Sequence, residues 1–503
     1  MKADDAPVSV LPPEASWPVF DSAGTRALER QALARHPPHA LMACAGRALA
    51  RLALATQPAA RSVLALAGPG NNGGDAVVAA RLLQACGWQA RIVLLGDAAR
   101  LPDDAAWALA QARADGLPVS DTLPMNADAD LMIDGLLGLG STRAPDGPLA
   151  DAVRWLNQAG RPVIAVDLPT GLDADRGTLL GDEAVRATHT LSLLTLKPGL
   201  FTAEGRDHTG RVWLHTLGEA VPEVSSCRLV GPPPAEGLAP HSAHKGRFGD
   251  VLVVAGAPGM AGAARLAARA ALAAGAGRVY LCLLDPAAAW SDDLAPELMH
   301  RPLADLQQPK ALAARTVLCG CGGGEAVAAW LPPLFAHAAR LVLDADALNA
   351  IASDSQLQQG LAARARRGLP SVLTPHPLEA GRLLGQTAAQ VQADRPAAAR
   401  ELARRFALTV VLKGSGTLVA APDGSLQINP SGNSLLAAAG TGDVLAGWLA
   451  GDWSRAPGRA PQDVAAAAVF RHGAAADRAA LQPARPPSLR ASELLERMRS
   501  LSH

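Results

Sequence analysis

The chain lacks net charge: 46 Lys and Arg balance 46 Asp and Glu across 503 residues. No overall field draws it to nucleic acid or to an anionic membrane, so any anion must be bound locally. Its six cysteines, at 44, 86, 227, 282, 319 and 321, form no Cys-x-x-Cys pair and have no histidines at zinc spacing. They read as reduced structural thiols. The N-terminus, Met-Lys-Ala-Asp-Asp followed by Pro and Glu, lacks the apolar core of a signal peptide. The most apolar long stretch, Ala261 to Leu284, is broken by Arg265, Arg269 and Arg278, so it does not read as a membrane span. A cytoplasmic protein is expected, compatible with a homo-oligomer. With 49% apolar and only 18% charged residues, what is present suffices for well-buried cores and excludes a disordered chain.

The length exceeds what one hydrophobic core supports and points to two domains. Short apolar runs, each followed by a Gly/Pro/Asp turn and a stretch of helical period, recur at Ser62 to Ala67, Arg91 to Leu95, Leu131 to Ile133 and Val163 to Val166. This alternation is the signature of a parallel α/β sheet. It stops near Leu217, where a segment rich in Gly, Glu and Pro follows. It restarts with Val251 to Ala255, Arg278 to Leu284, Thr316 to Cys319, Leu341 to Asp344, Ser371 to Thr374 and Thr409 to Leu412. The expected organisation is a first α/β domain over 1–225, a linker over 226–240 and a second α/β domain over 241–503. No short repeat is apparent.

In the first half, strand Ser62 to Ala67 runs into Gly68-Pro69-Gly70-Asn71-Asn72-Gly73-Gly74-Asp75 and a helical stretch from Ala76 to Cys86. Glycines let a backbone approach an anion closely, and the free N–H groups at a helix start can hold phosphate. Gly68 and Gly70 alone need be no more than a strand-to-helix turn. Two more strand ends carry acids, Asp134 and Asp167, the latter in Val166-Asp167-Leu168-Pro169-Thr170-Gly171. Each alone fits a loop or cap residue, but three polar strand ends in one domain argue for a site beyond the carboxyl edge of the sheet.

Together with Leu41-Met42-Ala43-Cys44-Ala45-Gly46, these motifs resemble the NAD(P)H-hydrate epimerases over about residues 20–217. The resemblance implies a Rossmann-like three-layer α/β/α sandwich. It also implies that Asn71, Asn72, Gly73, Gly74 and Asp75 bind the hydrated dinucleotide, with Gly138, Leu139, Gly140, Ser141, Thr142, Arg143, Ala144 and Asp167 touching it as well. Asn72, Asp134 and Thr170 would hold a potassium ion, all offering oxygen to a hard cation. Asp167 is the expected acid/base for inverting C6 of the nicotinamide hydrate.

In the second half, Asn429-Pro430-Ser431-Gly432-Asn433 precedes Gly440-Thr441-Gly442-Asp443, which opens an apolar helix. Backbone N–H groups there would stabilise a transferring phosphoryl group while Asp443 takes a proton from the attacking hydroxyl. An Asp placed only to suit the helix dipole would not need both flanking glycines. This arrangement resembles the ribokinase-like fold. Through His244 to Gly249, Gly262-Ala263-Ala264, Leu343 to Asn349, Thr374 to Pro377 and Leu412 to Thr417, the chain resembles the ADP-dependent NAD(P)H-hydrate dehydratases from about residue 241 onwards. That resemblance implies a nucleotide site at Lys413, Gly414, Ser415, Gly416, Thr417 and Gly442, with magnesium. It implies dinucleotide contacts at Ala263, Gly322, Gly324, His376 and Asp443, the last being catalytic. Glu379 reads as a surface helix residue.

The implied activity is repair of NADHX and NADPHX: epimerisation of their R and S forms, then dehydration of the S form at the expense of ADP. Two rivals remain at this point: a ribokinase-like kinase of a small alcohol or vitamin precursor fused to a dinucleotide-binding domain, and a nucleotide-binding scaffold without turnover.

Overall fold

The computed structural model describes residues 6–11, 13–234, 237, 239–288, 292, 295–482 and 488–501. The chain divides into two compact units, Met1–Arg228 and Leu229–His503. Strand Cys227–Leu229 occupies part of the stretch expected as a linker, and Val230 N–H continues from it, donating to Ile428 O at 2.9 Å. Ala235, Glu236 and Leu238 of that stretch lie outside the described residues.

Unit 1 is built on strands β1 (Val8–Ser9), β2 (Ser62–Ala67), β3 (Gln89–Leu94), β4 (Val119–Ser120), β5 (Leu131–Gly135), β6 (Val163–Val166), β7 (His189–Leu193) and β8 (Arg211–His215). Their order is β1-β8-β7-β6-β5-β2-β3-β4, parallel throughout except for β1 against β8. The apolar runs of β2, β5 and β6 are buried almost end to end, as central strands of a parallel sheet must be. From β2 the chain winds outward through β3 and β4, then returns to place β5 on the other side of β2. That reversal opens a crevice at the carboxyl ends of β2 and β5, where ligands of open α/β sheets bind.

Helix α1 (Ser22–Leu33) is capped by Asp21, and α2 (Ala40–Thr56), α3 (Asn71–Ala85) and α4 (Asp103–Ala114) follow in order. The expected loop before Ala76 is in fact the first turn of α3. Gly73 and Gly74 are there because nothing larger fits: an added Cβ would lie 2.3 Å from Gly68 O at the first and 2.4 Å from Met42 Cε at the second. Apolar side chains of α2, α3 and α4 pack with the β2 and β5 faces into one core.

Unit 2 carries β9 (Asp250–Ala255), β10 (Arg278–Leu283), β11 (Met299–His300), β12 (Thr316–Cys319), β13 (Arg340–Leu343), β14 (Ser371–Leu373), β15 (Thr409–Leu412), β16 (Leu418–Ala420) and β17 (Leu426–Ile428). Their order is β11-β10-β9-β12-β13-β14-β15-β16-β17, parallel up to β15 and antiparallel beyond it. Here the reversal lies between β9 and β12, which puts the glycine-rich segment after Cys319 in the second crevice. Helices α5 (Ala261–Ala273), α6 (Pro377–Leu384), α7 (Thr441–Arg455) and α8 (Pro461–Ala480) cover the sheet. The α5 and α7 backbones approach so closely that a Cβ on Gly447 would lie 2.0 Å from Ala267 O. Among the described residues no helix is long and apolar enough to cross a membrane.

Candidate active sites

A cleft of about 480 Å³ lies at the unit 1 crevice. Asn71, Asn72 and Asp75 of α3 line it, with Gly138, Leu139, Gly140 and Ser141, and with Asp167 and Lys197. Thr142, Arg143 and Ala144 do not line the cleft, and Gly73 and Gly74 are buried packing positions, so five of the expected substrate contacts fall outside its wall. For Gly73 and Gly74 the reason is geometric: successive helical residues face different ways, and only one side of the first turn of α3 looks into the cleft.

Asp167 sits just beyond β6 with φ +66, an unfavourable backbone for a residue with a Cβ. It is held there by its own N–H, which donates to Leu191 O at 2.8 Å, and by its carboxylate, which accepts from Leu193 N–H at 3.1 Å and from Lys197 Nζ. Lys197 has no exposed surface and also donates to Leu193 O at 2.8 Å. It is a site residue that the sequence did not single out; a Lys four positions past the end of β7 carries no local mark of burial.

Deeper in, Asp134 is fully buried and accepts from Thr170 N–H at 2.9 Å and Thr170 Oγ1 at 2.7 Å. Burial pushes its carboxyl up to about 6 against the pull of these hydrogen bonds. Asn72 donates through Nδ2 to Leu137 O at 3.0 Å and Val166 O at 2.8 Å. Asn72, Asp134 and Thr170 therefore do converge, joined by the backbone oxygens of residues 137 and 166.

In unit 2, Asp443 is the third residue of α7, whose cap Gly440 has φ +85, a conformation that suits glycine. One oxygen each of Asp443 and Asp344 and the thiol of Cys321 lie within 4.8 Å of one another. Burial first, then the Asp344 charge, raise the Asp443 carboxyl to about 6. Lys413 Nζ donates to Asp344 Oδ1 at 2.7 Å and reaches Glu379 Oε2 at 3.9 Å. A Cβ on Gly442 would come 3.5 Å from that ammonium, so the expected nucleotide residues Lys413 and Gly442 meet. Burial opposes the charge on Lys413, but the two carboxylates outweigh it and hold its pKa up.

His376 caps α6, its Nδ1 accepting from Leu378 N–H at 3.2 Å, while its own N–H donates to Glu379 Oε2 at 2.8 Å. Glu379 is 4% exposed, which corrects the surface reading. As the third residue of α6 it folds back as half of a capping box, a pattern visible in the sequence. Its pKa stays low: burial opposes ionisation, but the His376 hydrogen bond and Lys413 prevail. Gly322, at φ +53, faces Met260 and Ala263, and Gly324 N–H donates to Asp346 Oδ2 at 2.9 Å. Gly414 lies against the buried Arg395 guanidinium, which also donates to Lys413 O at 3.3 Å, and Thr417 Oγ1 donates to Gly414 O at 2.9 Å. Gly414 to Thr417 are thereby held as a turn beside Lys413, and Ser415 and Gly416 sit within it.

Two family models match the chain: NAD(P)H-hydrate dehydratase over residues 251–499 and YjeF-related protein N-terminus over residues 38–199. The bifunctional NAD(P)H-hydrate repair enzyme Nnr of Escherichia coli is 35% identical over 449 residues, covering 87% of this chain and 84% of its own. The enzyme of the same name from Moorella thermoacetica is 37% identical over 464 residues, covering 85% and 84%. Among solved structures, the ADP/ATP-dependent NAD(P)H-hydrate dehydratase of Bacillus subtilis, co-crystallised with ATP and Mg2+, is 28% identical with a TM-score of 0.44, covering 53% of this chain and 93% of its own. By its length of match to the curated relatives and its two domains in their order, the chain belongs to the bifunctional NAD(P)H-hydrate repair enzymes.

Proposed function

We propose that unit 1 interconverts the R and S forms of NADHX and NADPHX and that unit 2 dehydrates the S form to NADH or NADPH at the expense of ADP. The observation that carries this reading is the presence on one chain of two separate carboxylate centres, Asp167 in the cleft and Asp443 at the α7 start, each within its matched family region.

In unit 1, Asn71, Asn72 and Asp75 face the dinucleotide with the 138–141 loop, and Asp167 handles the proton exchanged at C6. Asn72 Nδ2 bonds the Leu137 and Val166 oxygens, and Thr170, bonded to Asp134, also reaches Leu137 O at 3.3 Å; with the Asn72 amide turned to present its oxygen, this donor set fits a hard cation. Asn72, Asp134 and Thr170 would hold potassium there, and the ion would supply positive charge that ties the 138 loop to the ends of β5 and β6.

In unit 2, Lys413 to Thr417 and Gly442 bind the nucleotide, and Ala263, Gly322, Gly324 and His376 border the dinucleotide. A C6 hydroxyl leaves poorly, and phosphorylation makes it a good leaving group. Asp443 takes the hydroxyl proton, the amides at Gly440 to Gly442 meet the charge on the phosphoryl group, and elimination of phosphate restores the reduced ring. A magnesium ion held there would supply charge neutralisation on the phosphates. The Asp443 carboxylate fits it; the Cys321 thiol is too soft a donor.

The test is recovery of the near-ultraviolet absorbance of reduced nicotinamide when purified protein meets mixed NADHX epimers with ADP, with ATP or with neither. Full recovery with ADP is expected. Recovery of one epimer's share would remove the epimerase, and none would favour a small-alcohol kinase.

A further inference from the structure

Removing a hydroxyl from C6 and returning it to the other face takes an acid as well as a base. Asp167 is poorly suited to be the acid. Lys197 and the Leu193 N–H both donate to its carboxylate, so it already stands in the cleft as an acceptor.

Asp75 is in the opposite situation. It lines the same cleft from α3 at 7% exposure, and among the described residues no hydrogen bond or ion pair reaches its carboxyl. A charge there would have no partner to compensate its loss of water, whereas the neutral acid needs none. Burial above all, then the charges of Asp167, Glu29 and Asp104, raise its pKa well above the ordinary carboxyl value. The basic groups lining the cleft are engaged elsewhere: Lys197 on Asp167 and Arg26 on Leu139 O at 3.2 Å. Two carboxyls in one cleft, one accepting from two donors and the other buried without a partner among the described residues, are placed as a base and an acid.

We propose that Asp75 is the catalytic acid of the epimerisation and Asp167 its base, an assignment that rests on the epimerase reading of unit 1. Asp75 gives its proton to the C6 hydroxyl, the C6–O bond breaks with its electron pair leaving as water, and the ring nitrogen lone pair closes the N=C6 iminium. Water then adds to the opposite face and gives a proton to Asp167. That proton passes back to Asp75, restoring both groups with no net consumption.

The experiment uses the full chain and purified R-NADHX, comparing Asp75→Asn and Asp75→Glu with the unsubstituted protein. For Asp75→Asn, kcat of epimerisation is expected to fall about 100-fold or more. KM should stay within about threefold, since binding contacts persist while only the transition-state proton is lost. ADP-dependent dehydration of S-NADHX reports that the chain is folded and should not change. Asp75→Glu restores part of the rate, and the unsubstituted enzyme loses activity toward alkaline pH as the acid is titrated. Asp75→Asn keeping more than about a tenth of kcat, or changing KM alone, overturns the assignment. If the variant misfolds, an unsubstituted profile without an alkaline limb overturns it instead. Should the unsubstituted chain fail on R-NADHX, the epimerase reading falls and this inference with it; failure of the variant prediction alone leaves that reading intact.

Discussion

Lys197→Met tests the electrostatics of unit 1 most directly. The lysine has no exposed surface, and its Nζ binds Asp167, Leu193 O at 2.8 Å and Ser192 Oγ at 3.3 Å. Methionine keeps the apolar stem, so the loss isolates the ammonium. Removing one partner of a buried ion pair typically costs about 3–5 kcal/mol because the other charge stays buried. At roughly 2–4 °C per kcal/mol for a domain of this size, the unit 1 melting transition should drop by about 6–20 °C. Calorimetry on the full chain gives the answer, with the unit 2 transition as internal control. A shift below about 3 °C would refute the claim that Lys197 and Asp167 form a buried ion pair that holds unit 1 together.

Other substitutions separate the remaining roles. Asp443→Asn should lower ADP-dependent dehydration by about 100-fold or more, with R/S interconversion unchanged, as followed by chromatography of the epimers. Because burial and Asp344 raise Asp443 to about 6, and a base must be ionised, kcat/KM for dehydration should fall as pH drops through about 6; a flat profile down to pH 5 would contradict that role. Thr170→Val removes the hydroxyl that donates to Asp134 and should abolish any stimulation of epimerisation by potassium over choline, while a retained response would place the ion elsewhere. Gly447→Ala would set a methyl 2.0 Å from Ala267 O, and forcing α5 from α7 should cost unit 2 about 1–3 kcal/mol, measured as a lower denaturation midpoint.

The sequence by itself determined the parts whose chemistry is local. Continuous apolar runs such as Ser62–Ala67 and Thr409–Leu412 read as buried strands, and glycine before an apolar stretch at Gly440 to Asp443 marked a helix start. Less regular segments escaped it. His189–Leu193 and Arg211–His215 carry polar residues whose partners, such as Thr209 O for Thr190 Oγ1, are set by the chain returning from elsewhere. The Asn-Asn-Gly-Gly-Asp motif was legible as a site, but not that two of its glycines serve packing against Gly68 and Met42, since that depends on what faces the helix. Only the tertiary structure decided which charges meet. Lys197 with Asp167, Lys413 with Asp344 and Glu379, and Cys321 beside Asp443 join residues on separate elements. Periodicity records which face of an element is buried; the partner across a crevice depends on strand order, which no local pattern encodes.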